Sequence, residues 1–108
     1  YRMTKALLEE GVDCTAIFAI SDSLAIGAVR ALIDAGKRVP MDISVAGFDG
    51  TEMAAYYNPS ITTIRQPAET MARETIKLLF DSIKKKTNVQ QLIFEGELVP
   101  GESVKKLN

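Results

Sequence analysis

The sequence contains no histidine and no tryptophan, and it has a single cysteine, Cys14, among its 108 residues. Without histidine, Ser-His-Asp and Cys-His catalytic arrangements are excluded. One cysteine cannot form an internal disulfide, and it fits a reducing compartment such as the cytoplasm. The chain also lacks a cluster of zinc-binding residues and the glycine patterns of phosphate-binding or dinucleotide-binding loops. We therefore expect no catalytic residues, no metal and no cofactor.

The sequence also lacks an excess of charge of one sign. Thirteen basic and fourteen acidic residues leave a net charge of −1. Because no basic stripe is present, this segment is not expected to bind DNA by itself. No apolar run approaches the ~20 residues of a membrane span, and no signal peptide opens the chain. The chain begins within a predicted helix and without an initiator methionine, so we expect a fragment that forms at most one domain.

Helical and strand patterns alternate along the chain. Helices are predicted over Arg2–Glu10, Ser23–Ala35, Thr51–Tyr57 and Ala68–Lys85, and strands over Thr15–Ile20, Ile43–Phe48, Ile61–Arg65 and Gln91–Val99. The lysine-rich stretch from Lys84 to Asn88 is predicted to be a surface turn. This order predicts an α/β fold in which a parallel sheet carries helices on both faces.

The segment 16–27 is the most informative part of the sequence. Five apolar residues end abruptly at Ser21-Asp22-Ser23, and a helical pattern follows. An unbroken apolar run of this length predicts a strand that is buried on both faces. Any of the three polar residues can cap the following helix. Open α/β sheets bind ligands at the carboxyl ends of such strands.

Polar residues follow three of the predicted strands. Ser21 and Asp22 follow the first, Asp49 follows the second and Gln66 follows the third. Each has a purely structural alternative, since Asp22 can be a helix cap, Asp49-Gly50 a turn and Gln66 a solvated linker. As a group they predict a binding crevice for a hydroxyl-rich or heterocyclic ligand. A hydrogen bond to a charged group contributes about 1.5–3 kcal/mol.

The second predicted helix is more apolar than a single packed face requires. Leu24, Ala28, Ala31, Leu32 and Ala35 can face the sheet, which leaves Ile26, Val29 and Ile33 pointing to the sides or away. These side chains can pack against neighbouring helices of the same chain or against another subunit. The residues alone favour packing against neighbouring helices of the same chain.

Three long motifs resemble the lactose-repressor/galactose-repressor family of bacterial transcription regulators. They are AIFAISDSLAIGA at 16–28, VPMDISVAGFD at 39–49 and PSITTIRQP at 59–67. The resemblance covers nearly the whole chain. It implies the C-terminal part of a two-lobed effector domain of the periplasmic-binding-protein type I fold. The helix-turn-helix and most of the first lobe are absent from this sequence, and helix 68–85 is expected to pack largely with that lobe.

The resemblance also assigns roles to residues of this chain. It implies effector contacts from Ser21, Asp22, Asp49 and Gln66, and a dimer surface that includes Ile26, Val29, Arg30 and Tyr57. The implied protein is a cytoplasmic, homodimeric, non-enzymatic ligand sensor that responds to a small molecule of the sugar class. It would bind operator DNA only through its missing N-terminal domain and would not contact a membrane.

The alternative is a periplasmic sugar-binding protein that delivers its ligand to a transporter. Both classes share this fold, so a helix-turn-helix upstream would indicate regulation and a signal peptide would indicate transport. An enzyme is a more distant alternative that turnover assays on the full chain would test. The sequence does not identify the effector, because the other half of the cleft is not in it.

Overall fold

A computed structural model describes residues 1–85 and 91–107. The chain divides into two compact units, of which the first comprises Tyr1–Arg65 and Leu98–Asn108 and the second comprises Gln66–Glu97. The described elements are α1 (Arg2–Glu9), β1 (Ala16–Phe18), α2 (Asp22–Asp34), β2 (Ser44–Ala46), α3 (Glu52–Tyr56), β3 (Thr63–Arg65), α4 (Ala68–Lys85) and β4 (Glu97–Val99). The predicted alternation of helices and strands is confirmed.

The strands are shorter than the sequence predicts. Each is three residues long, and the last begins at Glu97 rather than at Gln91. Apolar and β-branched residues beyond these limits favour extended backbone, but a strand also needs a hydrogen-bonded neighbour at every residue. The predicted turn at Lys84–Asn88 is only partly covered, because helix α4 extends to Lys85 and residues 86–88 lie outside the described residues.

The strands of the first unit pair in parallel, as predicted. In the β1–β2 pair, Ile17 is opposite Val45. Two further parallel bridges join Ala46 to Thr62 and Asp49 to Arg65. The segment around β2 therefore lies between β1 and the segment that leads into β3, and β3 also pairs with β4. Because the three segments run in the same direction, their carboxyl ends meet at one edge.

The predicted strand, residues 15–20, is not buried on both faces, so that prediction is wrong. Ile17 of β1 is half-buried and Ala19, just after β1, is 9% exposed, whereas Phe18 and Ile20 on the other face are 64% and 76% exposed. Side chains alternate between the two faces of a strand, and the described residues of this chain cover one of them. An apolar sequence makes a strand suited to burial, but it does not supply the layer that buries it.

Helix α2 packs through most of the predicted face, because Ala28, Ala31 and Leu32 are buried, but the buried face is rotated relative to the prediction. Its buried residues are Asp22, Ala25, Ala28, Val29, Ala31 and Leu32. Leu24, which was expected to face the sheet, is 52% exposed, and Ala35 is exposed as well. The helix begins with Asp22 turned inward, and positions three, seven and ten residues later fall on the same side. Polar contacts of the first residue thus set the rotation of the whole helix.

The burial of Val29 corrects one of the expected interface residues. Val29 has no exposed surface and is part of the main core cluster. A side chain that is fully enclosed by its own chain cannot contact a partner subunit. Leu32, Ile61 and Val45 are also fully buried and, with Val29, form the centre of the first unit.

Ser103 joins the segment after β4 to the middle of the sheet. Its hydroxyl donates to the Val45 carbonyl at 2.6 Å and accepts from the Thr62 amide at 2.9 Å. The Val45 amide in turn donates to the Ser103 carbonyl at 2.8 Å. Ser103 has no exposed surface. One side chain therefore satisfies backbone groups of two neighbouring segments, which would otherwise be buried without partners.

Helix α4 has the predicted limits and displays a stripe of large apolar side chains. Ile76, Leu79, Phe80 and Ile83 are between 55% and 67% exposed. These residues recur at helical spacing in the sequence, which predicts one apolar face that is suited to burial.

The exposed stripe leads to a prediction about the 108 residues in isolation. Burial of one such side chain stabilises a protein by about 1.5–3 kcal/mol, against a total stability of ~5–15 kcal/mol. We expect the purified segment to be marginally stable or to self-associate, and a Phe80→Lys/Ile83→Lys variant to stay more soluble. Analytical ultracentrifugation and thermal melting test this. A cooperative, monomeric melt of the unmodified segment at high temperature would contradict the expectation.

Candidate functional site

The carboxyl ends of the three parallel segments lie side by side. The Asp22 amide donates to the Phe48 carbonyl at 2.7 Å, and the Asp49 amide donates to the Ile64 carbonyl at 2.9 Å. These bonds place the residues that follow β1, β2 and β3 in one row. We call this row, Ser21-Asp22, Asp49-Gly50 and Arg65, the carboxyl edge. It is the position at which open α/β sheets bind ligands.

Ser21 is the N-cap of helix α2. Its hydroxyl accepts from the Leu24 amide at 3.3 Å, and its backbone is extended, as an N-cap requires. The prediction that one of the three polar residues caps this helix is therefore confirmed, with Ser21 as the cap. Asp22 is the first helical residue instead, so the proposed capping role of Asp22 is wrong.

Asp22 is the most enclosed polar side chain of the carboxyl edge. It has no exposed surface. One carboxylate oxygen accepts from the Thr51 amide at 2.7 Å and the Thr51 hydroxyl at 3.0 Å, and the other accepts from the Thr63 hydroxyl at 2.5 Å. A carboxylate enclosed in this way has no surface with which to meet a ligand. The expected direct effector contact of Asp22 is corrected to an internal role.

Gly47 provides the space for this carboxylate. A Cβ atom at Gly47 would lie 2.5 Å from Oδ1 of Asp22 and 3.2 Å from the Cβ of Ala25. A methyl group there would displace the buried oxygen from its partners. Close packing against the Asp22 carboxylate therefore requires glycine at position 47.

Asp49 holds an unusual backbone conformation at the centre of the carboxyl edge. Its φ is 121°, the one positive value for a non-glycine residue among the described residues. Backbone conformations of this kind cost about 1–3 kcal/mol and cluster at ligand-binding sites. The neighbouring Gly50 also has a positive φ, 73°. Asp49 itself is paired with Arg65 in a parallel bridge and neither residue is assigned to a turn, so the alternative that Asp49-Gly50 is only a turn is not confirmed. Asp49 is half-buried at the carboxyl edge.

Arg65 belongs to the carboxyl edge, and the sequence did not identify it. It is the last residue of β3 and is bridged to Asp49. A Cβ atom at Gly50 would lie 2.4 Å from the Arg65 Cα, so only glycine allows this approach. In the sequence Arg65 resembles any charged residue at a strand end. Only the register of β3 against the segment after β2 reveals its neighbour.

Gln66 directly follows Arg65 and is the first residue of the second unit. It is half-buried, and its carbonyl accepts from the Ala68 amide at 2.9 Å as helix α4 begins. Its predicted role in ligand binding stays a prediction.

The other expected dimer residues occupy different environments. Ile26 and Tyr57 are partly buried and pack against the core of the first unit. Arg30 is exposed and forms an ion pair with Asp34 at 2.8 Å. Tyr56, which the sequence did not single out, is 81% exposed on helix α3. Tyr56 therefore has much more surface for a partner than Tyr57.

The described residues contain no group of three or more His, Cys, Asp or Glu side chains that could hold a metal ion. Among the same residues, no helix is long and apolar enough to cross a membrane. A carboxylate, a hydroxyl and a guanidinium are the groups that the carboxyl edge offers. Such groups accept from and donate to polar ligands.

Comparison with known proteins places the chain in a family. Residues 2–104 match the family model of the periplasmic binding protein-like domain. The HTH-type transcriptional regulator MalR of Clostridium butyricum is 47% identical over 103 residues, which is 95% of this chain and 31% of MalR. The chain therefore spans about a third of the length of this relative.

Solved structures agree with this assignment. The Lac repressor dimer bound to operator and the anti-inducer ONPF matches with a TM-score of 0.88 and 31% identity, over 96% of this chain and 36% of that one. The complex of the transcriptional regulator CelR with cellobiose matches with a TM-score of 0.84 and 38% identity, over 93% and 31%. The chain belongs to the periplasmic binding protein-like domain family, within the lactose-repressor/galactose-repressor group of transcriptional regulators.

Proposed function

We propose that this chain is the effector-binding and dimerisation segment of a bacterial transcriptional regulator, whose DNA binding is controlled by a small ligand of the sugar class. The observation that carries the proposal is the strained Asp49, held at φ 121° in the middle of the carboxyl edge. The CelR complex with cellobiose and the Lac repressor complex with an anti-inducer support a ligand of this class. Operator binding would reside in a domain outside this sequence.

The proposed chemistry is recognition without turnover. The Asp49 carboxylate can accept from two ligand hydroxyls, and the nearby Arg65 guanidinium can donate to a ring or hydroxyl oxygen. The ligand controls DNA binding only if it binds one arrangement of the regulator more tightly than the other, because equal affinities shift no equilibrium. A sensor of this kind works in the cytoplasm, where operator DNA is found.

Removal of the Asp49 carboxylate is expected to weaken effector binding. In the full-length protein, Asp49→Ala should cost ~1.5–3 kcal/mol of binding free energy, which is roughly 10- to 150-fold in affinity. Isothermal titration calorimetry with maltose, cellobiose and lactose identifies the sugar that binds and then measures the loss. Asp13→Ala is the matched control, because Asp13 is exposed and precedes β1 at the opposite end of the strand.

Two results would count against this assignment. Wild-type affinity in Asp49→Ala would remove Asp49 from the site. Absence of binding by the wild-type protein to every sugar of the panel would overturn the sugar class.

A charge on helix α3 is expected to weaken the proposed homodimer. Tyr56 offers an exposed aromatic ring, and aromatic side chains are enriched at subunit interfaces. A two-fold contact would bring each helix face near its symmetry mate, so Tyr56→Asp would bury an unpaired charge. Sedimentation of the full-length protein should show at least tenfold weaker association for Tyr56→Asp. Met41→Asp, at another exposed apolar position, should dissociate like the wild type; if both variants remain dimeric, the interface lies elsewhere.

The transport alternative finds less support than regulation. MalR and CelR, two of the relatives in sequence and in structure, are transcriptional regulators. A helix-turn-helix in the sequence that precedes Tyr1 would agree with the proposal. A signal peptide in that position would instead favour a periplasmic binding protein.

A further inference from the structure

The segment 48–51, which carries Asp49 and is called the Asp49 loop below, is fixed by a hydrogen bond at each of its four residues. The Phe48 carbonyl accepts from Asp22, and the Asp49 amide donates to Ile64. The Gly50 amide donates to the Thr63 hydroxyl at 3.3 Å, and the Thr51 amide donates to the Asp22 carboxylate at 2.7 Å. Three of the four bonds involve Asp22 or a side chain that is bonded to Asp22.

Thr51 links the Asp49 loop to helix α3. Its hydroxyl donates to Asp22 at 3.0 Å and also accepts from the Ala54 amide at 3.4 Å as the N-cap of α3. A single hydroxyl thus bonds to the buried carboxylate and to the start of the helix that displays Tyr56. Thr63 contributes the third donor to Asp22 from the neighbouring strand β3.

We propose that Asp22 and Thr51 are positioning residues, which hold Asp49 in its ligand-binding conformation and connect it to helix α3. This inference rests on the proposed function, because it assigns the regulation of the same site. Neither residue needs to touch the ligand. Asp22 is fully buried, so its influence on affinity passes through the backbone of residues 48–51.

The hydrogen-bond network predicts which substitutions preserve the Asp49 loop. Thr51→Ser keeps the hydroxyl and both of its hydrogen bonds. Thr51→Val keeps the shape and removes both. A role limited to general stability would lower affinity only as far as any equally destabilising substitution does. Ser103→Ala is the matched control, since Ser103 is buried in the same unit and its hydroxyl bonds to Val45 and Thr62 rather than to residues 48–51.

The first measurement needs no ligand. Hydrogen exchange of the full-length protein, followed by mass spectrometry, reports the protection of peptides that contain residues 47–52. We expect exchange there to rise at least tenfold more in Thr51→Val than in Ser103→Ala and to remain near wild type in Thr51→Ser. Equal exchange in Thr51→Val and the wild type would overturn the proposal.

The second measurement is calorimetric titration with the sugar that binds the wild type in the maltose, cellobiose and lactose panel. We expect Thr51→Val to lose about tenfold in affinity, and Thr51→Ser and Ser103→Ala to lose less than threefold. Equal losses in Thr51→Val and Ser103→Ala would overturn the positioning role. If no sugar of the panel binds the wild type, the proposed function fails, and the exchange measurement alone decides whether the bonds between Asp22 and Thr51 hold the Asp49 loop.

Discussion

Replacement of Asp22 by alanine is expected to destabilise the protein by about 3–5 kcal/mol, the largest effect of any single substitution considered, because three hydrogen bonds to a buried carboxylate are lost. The variant leaves the Thr51 amide and the Thr51 and Thr63 hydroxyls without their acceptor. A hydrogen bond to a charged group contributes about 1.5–3 kcal/mol, and Asp22 accepts three. Thr63 is buried and loses its bond without replacement, whereas water can replace part of the loss at the exposed Thr51.

Chemical denaturation of the full-length protein measures this effect. Asp22→Asn should cost less than Asp22→Ala, because the amide oxygen can still accept from Thr51 while its NH2 group donates to Thr63. Ser23→Ala, at the exposed next position of helix α2, is the control and should change stability by less than about 0.5 kcal/mol. An Asp22→Ala variant as stable as this control would show that the buried network contributes nothing to folding.

Ser103→Ala is expected to cost about 2–4 kcal/mol. The substitution leaves the buried Val45 carbonyl and the Thr62 amide without the hydroxyl that both contact, and the site is too enclosed for bulk water to replace it. Denaturation of the full-length protein again gives the value. Ser60→Ala removes a hydroxyl of the same region that bonds to Glu102 near the surface, and it should cost less than about 1 kcal/mol. Equal losses in the two variants would contradict the role assigned to Ser103.

The sequence predicted features that depend on neighbouring residues along the chain. The limits of helix α4 match the prediction, and so does the cap of helix α2. The parallel arrangement of the sheet also agrees. Each follows from local periodicity, a capping residue, or the spacing that parallel strands require. The α/β class was therefore accessible from the chain alone.

Features that depend on contacts between distant residues were missed. The rotation of helix α2 is fixed by Asp22, whose partners are 29 and 41 residues away. Arg65 became a candidate ligand residue only through its register beside Asp49. The exposure of Phe18 depends on which layers cover the sheet, and strand periodicity carries no information about these layers.

For Asp22, the family resemblance predicted the location of the residue correctly and its role incorrectly. The motif places Asp22 at the carboxyl edge, and the structure agrees with that location. The assigned contact differs, because the side chain turns away from the edge and into the protein. Position in a family motif therefore identified the neighbourhood, and burial and hydrogen bonding decided the role.

The bonds of Ser103 also affect the order in which the protein can fold. Val45 and Ser103 are 58 residues apart in sequence, and the whole second unit lies between the two parts of the first. During synthesis, strands β1 and β2 emerge long before Ser103. The Val45 carbonyl therefore lacks its hydrogen-bond donor until the residues between them, including helix α4, have been synthesised. Contacts over such separations slow folding and leave apolar strands accessible to other molecules in the meantime. We therefore expect chaperones to bind the nascent chain most before residue 103 leaves the ribosome.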